Sequence, residues 1–310
     1  MGIRMRVELR ALALVALVPS VTAAVAVHSL ARGGARATLS RVSMSTLADV
    51  PSVIYGGGRI GQTLASMGCV GDVIVRRGEP FPTTPSSGPI YVCTRNDALA
   101  GIVASTPPER RKDLVFVQNG MLGGFLAKEG LAANTQVLLY LAVSKLGERP
   151  IDGITEFNPE GLTAATGKWA GAFAARLQKG GLTCRALDGD PYTAAMLEKH
   201  VWICAFMLVG ALNGGVTVGD VELKHSAQLK ELCEELCAAG EEALGVKLAP
   251  GVFARLAAYG RSVAHFPTAV KELEWRNGWF YELSKAAAAG GKPDRTPIHS
   301  AGLLTLGVVS

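Results

Sequence analysis

Three glycines, Gly56, Gly58 and Gly61, follow a short apolar run and could bind the pyrophosphate group of a dinucleotide. In such a site the first glycine makes a tight turn, the second lets the backbone approach the pyrophosphate, and the third lets helix and strand pack closely. The helix that follows offers unpaired N–H groups and a partial positive charge to the phosphates. Because the motif lies between a predicted strand and a predicted helix, the sequence predicts a dinucleotide site.

The arginine pair Arg76 and Arg77 indicates which dinucleotide this site would hold. About 20 residues after the first glycine, an NAD site usually has an acid that binds the ribose 2′-hydroxyl, and counting from Gly56 leads to Arg76. A carboxylate would repel a 2′-phosphate, whereas the fork of a guanidinium matches phosphate oxygens. We therefore predict NADP(H), the alternative being a solvated charge pair in a loop. Arg59 and Ile60, inside the glycine turn, are also predicted to bind this cofactor.

The elements that must position these residues alternate between strand and helix from residue 52 to about residue 187. The predicted strands are continuous apolar runs, which is typical of parallel strands that are covered on both faces. We therefore predict an α/β fold with a Rossmann-type, doubly wound, mostly parallel sheet, forming an NADP-binding domain over residues 50–188.

The pattern becomes all-helical over residues 190–288, which predicts a helical substrate domain. A long apolar helix comes first, Gly245 stands where a C-cap glycine belongs, and Pro250 suits the first turn of another helix. A last helix is predicted over residues 267–289, and the Gly- and Pro-containing tail 289–310 is predicted to be loose. The cleft between the two domains is the expected substrate site.

Four motifs give the chain a resemblance to the ketopantoate reductases, which belong to the 6-phosphogluconate-dehydrogenase-like superfamily of NADP-binding proteins. They are "GGGRIG", "QNGM" at 118–121, "EKHVW" around Lys199, and "RSVAHFPTAVKELEWRNG" at 261–278. The last is similar to the family's serine followed by a T-E-I-D-x-x-N-G block. The resemblance covers about residues 52–284 and implies a Rossmann domain followed by a helical domain.

The resemblance also implies roles for four residues, each carried over by position. Asn119 matches the asparagine that meets the nicotinamide and the substrate, and Lys199 matches the lysine that donates a proton to the substrate carbonyl oxygen. Ser262 is similar to the serine that binds the substrate carboxylate, and Glu272 to the acid that contacts a substrate hydroxyl and the lysine. Hydride delivery to a ketone leaves an alkoxide, which independently requires a nearby cation or proton donor.

The chain departs from the family pattern on the substrate side. The family usually has an asparagine one turn after the lysine, where this chain has Ile203. The segment between Ser262 and Glu272 is short, and an acid that usually follows the serine is absent, with Ala264 and His265 in that region. These differences favour a 2-oxo-acid reductase over a strict assignment of ketopantoate as substrate.

Each of the assigned residues also has a purely structural interpretation. Lys199 could be a surface lysine at the start of an apolar helix, and Asn119 before a glycine could simply form a turn. Glu272 could be an ordinary solvated helix residue. Cys233 and Cys237, one helical turn apart, could be a redox pair, but core packing is the favoured interpretation, and none of the six cysteines has metal-ligand spacing.

Residues 1–45 have the composition of a targeting leader. They contain six arginines, no lysine and one acid, and residues 11–27 are uniformly apolar but a little short for a membrane span. An apolar signal followed by an Arg- and Ser-rich stretch resembles a bipartite leader of signal plus transit peptide. We expect delivery to an organelle, with a plastid ahead of a mitochondrion or the cytosol. A single membrane anchor or a true start at Met44 are the alternatives.

The charge of the chain belongs to this leader. The whole sequence is formally +5, and the remaining residues, 46–310, hold 25 basic and 25 acidic side chains. Nucleic-acid binding therefore has little support, and no stable membrane anchor is expected in the mature protein.

The function that the sequence favours is NADPH-dependent reduction of a small 2-oxo acid to a 2-hydroxy acid. Two alternatives remain open: a superfamily dehydrogenase with another hydroxy-acid or imine substrate, and a non-catalytic NADPH-binding or sensor protein. A small-molecule 2-oxo acid is the expected partner. Monomer and homodimer are both open.

Overall fold

The computed structural model describes residues 50–310, so the predicted leader lies outside the described residues. The first part of the chain forms a seven-stranded sheet in the order β2-β1-β3-β4-β5-β8-β9. Its strands are β1 (Val53–Tyr55), β2 (Val73–Val75), β3 (Ile90–Val92), β4 (Leu114–Phe116), β5 (Thr135–Leu138), β8 (Ala164–Thr166) and β9 (Arg185–Ala186). The hairpin strands are β6 (Leu141–Ala142) and β7 (Ile151–Asp152), and the helices are α1 (Arg59–Ser66), α2 (Leu99–Ser105), α3 (Gly123–Lys128) and α4 (Ala170–Lys179).

The central strands are buried on both faces, as their continuous apolar runs predict. Val53, Ile90 and Leu114 point into one hydrophobic cluster with helices α2 and α3. Ile54 and Tyr91 point into the opposite cluster, which includes residues of α1 and α4. Strands β1 to β5 run parallel. The predicted mostly parallel, doubly wound sheet is therefore confirmed.

The sheet departs from a purely parallel order after β5. Strand β8 pairs antiparallel with β5, and β9 pairs parallel with β8. The apolar run 136–143 supplies β5 and then β6, which leaves the main sheet and pairs only with β7. A continuous apolar run does not reveal such a division, because both halves carry buried side chains.

Helices α5 (Gly189–Leu212), α6 (Val218–Lys224), α7 (Ser226–Leu244), α8 (Val252–Ser262), α9 (Asn277–Ala289) and α10 (Pro297–Thr305) form the second part. Helix α5 is apolar on all sides and packs against α7. It is long and apolar enough to cross a membrane by length and composition, the one such helix among the described residues, but most of it is buried within the protein. Helix α7 ends at Gly245, whose left-handed backbone matches the predicted C-cap. Cys233 of α7 lies in the core, where burial raises the pKa of its thiol.

The last predicted helix begins later than the sequence suggested. Residues 273–275 form one 3-10 turn, and α9 starts only at Asn277. Tertiary contacts hold the preceding segment in another conformation: Pro267 bridges to Thr217, and the Thr268 hydroxyl donates to the carbonyl oxygen of Val216 at 2.6 Å. These long-range contacts override the local helical pattern.

The C-terminal tail is not loose, which corrects the prediction from its glycines and prolines. Residues 297–305 form α10, and Leu303 is fully buried against the helical core. The carboxylate of Glu235 on α7 accepts hydrogen bonds from the main-chain N–H groups of Ile298 and His299, at 2.8 and 2.9 Å. Because the first N–H groups of a helix need acceptors from outside it, this carboxylate anchors α10.

Candidate active site

The glycine turn between β1 and α1 has the geometry that its three roles require. Gly56 has φ +98°, and a Cβ there would lie 2.7 Å from the carbonyl oxygen of Cys93. A Cβ on Gly61 would lie 1.8 Å from the carbonyl oxygen of Gly56, so the helix packs on the turn only with glycine there. A Cβ on Gly58 would meet no atom within 4 Å, which leaves open space at the start of α1. The turn therefore fits a pyrophosphate group.

Beside this turn lies a cavity of about 880 Å³. It opens at the carboxyl ends of β1, β2 and β3, where the strand order reverses and open α/β sheets bind ligands. Its lining includes Arg76 and Arg77, which are exposed, and the buried hydroxyl of Thr94, which has no hydrogen-bond partner among the described residues. An orphaned donor and two exposed cations at this place suit a phosphorylated ligand.

Three charged residues of this cavity, Glu79, Arg95 and Asp97, were missed by sequence reasoning. Glu79 accepts a hydrogen bond from the main-chain N–H of Arg76 at 2.6 Å, which closes the turn after β2. Arg95 follows β3 and lines the same cavity, with Asp97 as an ion-pair partner at 3.1 Å. A cation directly after the third strand is the signal that could have identified Arg95.

Arg59 does not direct its side chain to the cavity. Its guanidinium donates to the carbonyl oxygens of Val143 and Ser144, at 2.8 and 3.0 Å, and so holds the loop after β6. Both bonds use one nitrogen of the guanidinium, and the main chain of Arg59, the first residue of α1, is also available to a cofactor phosphate. Ile60 packs on the hydrophobic cluster under the sheet.

Lys199 is a buried cation whose hydrogen-bond partners come from the Rossmann part. Its Nζ donates to the Oδ1 of Asn119 at 2.6 Å and to the carbonyl oxygen of Leu139 at 3.0 Å. The ring of Tyr140 lies 5.1 Å from this Nζ. Burial, together with the positive charge of Arg276, lowers the pKa of Lys199 from 10.5 to about 7. The interpretation of Lys199 as a surface lysine is therefore wrong.

Asn119 and Leu139 follow β4 and β5, so the carboxyl ends of two neighbouring parallel strands point to this lysine. Further hydrogen bonds connect Asn119 to Glu272. The side-chain amide of Asn96 donates to the carbonyl oxygen of Asn119 at 2.9 Å, and the main-chain N–H of Asn96 donates to Oε1 of Glu272 at 3.2 Å. Glu272 Oε2 accepts from the guanidinium of Arg276.

Glu272 reaches this position through an unusual backbone. It has φ +48° and ψ +52°. Among the described residues, it is the only one other than glycine that has a positive φ. Such a conformation costs about 1–3 kcal/mol and persists where surrounding contacts fix it. Its carboxylate therefore belongs to a chain of contacts, Arg276–Glu272–Asn96–Asn119–Lys199, in which Asn96 and Arg276 were not anticipated from the sequence.

The turn after β4 docks directly on the segment that carries Glu272. Gly120 has φ +115°, and a Cβ there would lie 2.3 Å from the carbonyl oxygen of Trp275. That same oxygen accepts a hydrogen bond from the main-chain N–H of Met121 at 2.8 Å. Asn119 thus does form a turn with Gly120, but the turn also orients its side chain toward Lys199.

Ser262 is not brought into this group. Its hydroxyl donates to the carbonyl oxygen of Tyr259 at 2.7 Å, at the end of α8, and among the described contacts it touches neither Lys199, Asn119 nor Glu272. Ile203, one turn after Lys199, is buried in the helical core and offers no polar group.

No protein-family model and no curated protein sequence matches this chain. Solved structures do. A PanE/ApbA family ketopantoate reductase from Ralstonia eutropha JMP134 is 16% identical with a TM-score of 0.57, covering 82% of this chain and 97% of that one. A 2-dehydropantoate 2-reductase from Methylococcus capsulatus is 15% identical with a TM-score of 0.56, covering 84% and 96%.

A third neighbour is D-mandelate dehydrogenase, solved as a ternary structure with NADH and anilino(oxo)acetate. It is 13–14% identical to this chain in two structures, each with a TM-score of 0.58, and the ternary structure covers 83% of this chain and 99% of its own. The order of elements is therefore shared at very low sequence identity. The resemblance that the motifs indicated is confirmed at the level of the fold, and this chain has the two-part fold of the ketopantoate reductases.

Proposed function

We propose that this protein is an NADPH-dependent oxidoreductase that reduces a small 2-oxo acid to the 2-hydroxy acid. The observation that carries the proposal is the hydrogen bond of 2.6 Å between the buried Lys199 Nζ and the half-buried Asn119 Oδ1. It brings the Lys199 side chain, from the helical part, to the carboxyl ends of the strands, where the glycine turn also lies, and this supports a role for Lys199 as proton donor. In the reaction one hydride from NADPH and one proton reduce the carbonyl group, and NADP⁺ is released.

The cofactor would supply the hydride when it is bound. Gly58 and the start of α1 would hold its pyrophosphate, and Arg76 and Arg77 would hold its 2′-phosphate. Structural neighbours that are solved with NADH support a nicotinamide dinucleotide. The arginine pair is the observation that favours NADP(H) over NAD(H).

Lys199 donates the proton in this proposal. Hydride arrival at the carbonyl carbon places negative charge on the carbonyl oxygen, and the ammonium group both stabilises that charge and neutralises it by proton transfer. A pKa of about 7 means that the donor is partly protonated at neutral pH and releases its proton readily. Asn119 orients the Nζ, and Glu272 fixes the turn that presents Asn119.

An assay of NADPH oxidation with a panel of 2-oxo acids tests this proposal. The panel includes ketopantoate, 2-oxoisovalerate, pyruvate and phenylglyoxylate, each also tried with NADH. We expect saturable NADPH oxidation with at least one acid and formation of the matching hydroxy acid. The panel also includes an amine together with a 2-oxo acid, which tests the imine alternative. Tight NADPH binding without turnover of any of these substrates would favour the sensor alternative.

A second candidate is a dehydrogenase for a hydroxy acid with a bulkier apolar group. Ile203 stands next to Lys199, where the family usually has an asparagine. Nearby, the ring of Tyr259 lies 4.7 Å from the ring of Tyr140 and 4.7 Å from the ring of Trp202, which forms an aromatic cluster. The D-mandelate dehydrogenase neighbours are consistent with this candidate. Preference for phenylglyoxylate over ketopantoate in the same panel would support it.

We also propose a homodimer, since a ketopantoate reductase neighbour from Staphylococcus aureus is described as dimeric.

A further inference from the structure

Arg276 is a second, partly buried cation in the same group of contacts as Lys199. Its side chain is 16% exposed, and its guanidinium donates to Oε2 of Glu272. After burial, the positive charge of Arg276 is the second cause that lowers the pKa of Lys199. Arg276 directly precedes α9, whose Trp279 and Phe280 rings lie 5.6 and 5.2 Å from the ring of His200, so Arg276 lies beside the same stretch of α5 as the proposed proton donor.

The charges of this group do not balance. Lys199 and Arg276 are two cations, and the carboxylate of Glu272 pairs with Arg276, whereas Lys199 bonds only to neutral oxygens among the described residues. His200 is buried between aromatic rings, and burial lowers its pKa to about 3, so it is neutral at physiological pH. One negative charge is missing when Lys199 is protonated, and a 2-oxo acid carries one negative charge.

The guanidinium of Arg276 also has unused hydrogen-bonding capacity. Its Nε is buried and has no acceptor among the described residues. Leaving such a charged donor without an acceptor is costly, so a carboxylate that reaches it gains a strong hydrogen bond. Ser262, the residue that the family resemblance offered for the substrate carboxylate, bonds instead to the main chain of its own helix.

We propose that Arg276 binds the substrate carboxylate, in place of Ser262. This inference rests on the proposed function, because it assigns one end of the 2-oxo acid for which that function was proposed. In a 2-oxo acid the carboxylate and the carbonyl group are on adjacent carbons. Arg276 can therefore hold the carboxylate while Lys199 meets the carbonyl oxygen.

The arrangement couples binding to catalysis. The positive charge of Arg276 disfavours the protonated form of Lys199 in the free protein. A bound carboxylate compensates that charge, so the lysine keeps its proton when the substrate is present. A substrate without a carboxylate would lack this effect.

The test compares a 2-oxo acid with its neutral ester in three variants. Arg276→Gln removes the charge, and Arg276→Lys keeps a charge but loses the fork of N–H groups. Arg255→Gln is the matched control, because Arg255 forms a similarly buried ion pair with Glu198 on α5, with side chains 15% and 13% exposed. The probes are 2-oxoisovalerate and methyl 2-oxoisovalerate, replaced by another acid and its ester if the panel selects one.

Two measurements are made on each variant: steady-state kinetics with NADPH, and equilibrium binding of the acid to the protein with NADP⁺ by calorimetry. We expect Arg276→Gln to raise KM and Kd for the acid about ten- to a hundredfold, the value of one charge-assisted hydrogen bond. The ester should change less than about threefold, and NADPH affinity should stay the same. Arg276→Lys should be intermediate, and Arg255→Gln should match the wild type.

The outcomes separate the two proposals. Equal losses for acid and ester, or unchanged Kd for the acid in both Arg276 variants, would overturn the assignment of Arg276 while the reductase function stands. Acid binding that depends on Arg276 without any turnover would support the carboxylate site and overturn the reductase function. If Arg276→Gln does not fold, Arg276→Lys gives the deciding comparison, because it retains a cation for Glu272.

Discussion

Lys199 shows how burial changes the acidity of a side chain. It lies on an apolar helix whose other buried residues offer no charge, and Ile203 and Trp202 stand beside it. The ammonium nevertheless has two acceptors, Asn119 Oδ1 and Leu139 O. Loss of hydration exceeds what these hydrogen bonds return, so the lysine gives up its proton more readily than in water.

We expect Lys199→Met to reduce kcat about a hundredfold or more, the range of general acid catalysis, with NADPH affinity unchanged. In the wild type, kcat/KM should fall as pH rises through about 7, because the free protein then loses the donated proton. Steady-state kinetics between pH 5.5 and about 9 measure both effects. Undiminished turnover in Lys199→Met would contradict the proposed mechanism.

The same pKa makes a prediction for stability. Lys199 has an ordinary pKa of 10.5 in the unfolded chain and about 7 in the folded protein, so the unfolded state binds more protons between these values. Its contribution to the free energy of unfolding therefore rises with pH across this window. Lys199→Met should be more stable than the wild type at pH 7, and the difference should shrink toward pH 10. Chemical denaturation at several pH values provides the measurement.

The arginine pair after β2 should decide which dinucleotide binds. Each phosphate contact of a guanidinium contributes about 1.5–3 kcal/mol, so Arg76→Asp with Arg77→Ser should weaken NADPH at least ten- to a hundredfold more than NADH. Fluorescence titration of both cofactors measures the ratio. Glu109→Gln on the surface is a control without contact to the cavity lining. Equal losses for NADPH and NADH would show that the pair does not bind the 2′-phosphate.

The sequence can suggest site residues where one local segment is sufficient. The glycines and the arginine pair lie within 22 residues, and each requires only the strand and helix beside it. Asn96 and Arg276 were not identified, because their importance depends on contacts between distant segments. Asn96 and Glu272, for example, meet across 176 residues of sequence.

At the scale of elements, the turn after β4 connects the two parts of the molecule. Gly120 accepts φ +115° and lets the backbone of Trp275 approach closely, while Phe125 of α3 packs edge-on against the Trp275 ring at 5.6 Å. This docking holds the loop that carries Glu272 in its left-handed conformation. The turn and the loop therefore position the site together.

We expect Gly120→Ala to disrupt the contact between the turn after β4 and Trp275. The added Cβ would lie 2.3 Å from the Trp275 carbonyl oxygen, and alanine rarely adopts the positive φ of this position. The free energy of unfolding should fall by about 1–3 kcal/mol, and kcat should fall more than NADPH affinity. Gly124→Ala in α3 is the matched control, because no atom lies within 4 Å of its Cβ and alanine favours the helix. Identical stability of the two variants would contradict this role for the turn.

The strands and most helices could be predicted from the periodicity of the sequence, but the segment 267–276 and the C-terminal helix could not. The stretch 267–276 has a helical pattern, yet hydrogen bonds and a bridge to residues 216–217 hold it in a loop. That loop is where Glu272 and Arg276 lie. The local pattern fails here because long-range contacts determine the backbone at the site.

At the scale of the whole molecule, the C-terminal helix α10 is part of the core. Leu303→Ala removes a fully buried side chain and should lower the free energy of unfolding by about 2–5 kcal/mol. Leu304→Ala is the control, because Leu304 is 51% exposed and should change stability by less than about 0.5 kcal/mol. Thermal and chemical denaturation of both variants measure the difference. Equal effects would indicate that α10 does not contribute to the core.

The sequence missed this helix for a compositional reason. Glycine and proline around residues 290–297 signal a break in the chain, and here they separate α9 from α10 rather than begin a loose tail. The anchor on Glu235 lies about two helices earlier along the chain. Local composition shows where a helix ends but not what the next segment packs against.

The leader is proposed to direct the protein to an organelle and to be unnecessary for folding. Every described strand and helix begins at Val53 or later, and residues 46–310 are formally neutral. We expect a protein made of residues 46–310 to be soluble and to bind NADPH as the full chain does, which titration would measure.

We also expect residues 1–50, fused to a fluorescent protein, to direct it to a plastid in algal cells. Replacing the six leader arginines by glutamine should abolish this import, because transit peptides need their positive charge. Cytosolic fluorescence of the unmodified fusion would contradict targeting, and failure of residues 46–310 to fold would show that the leader belongs to the structure.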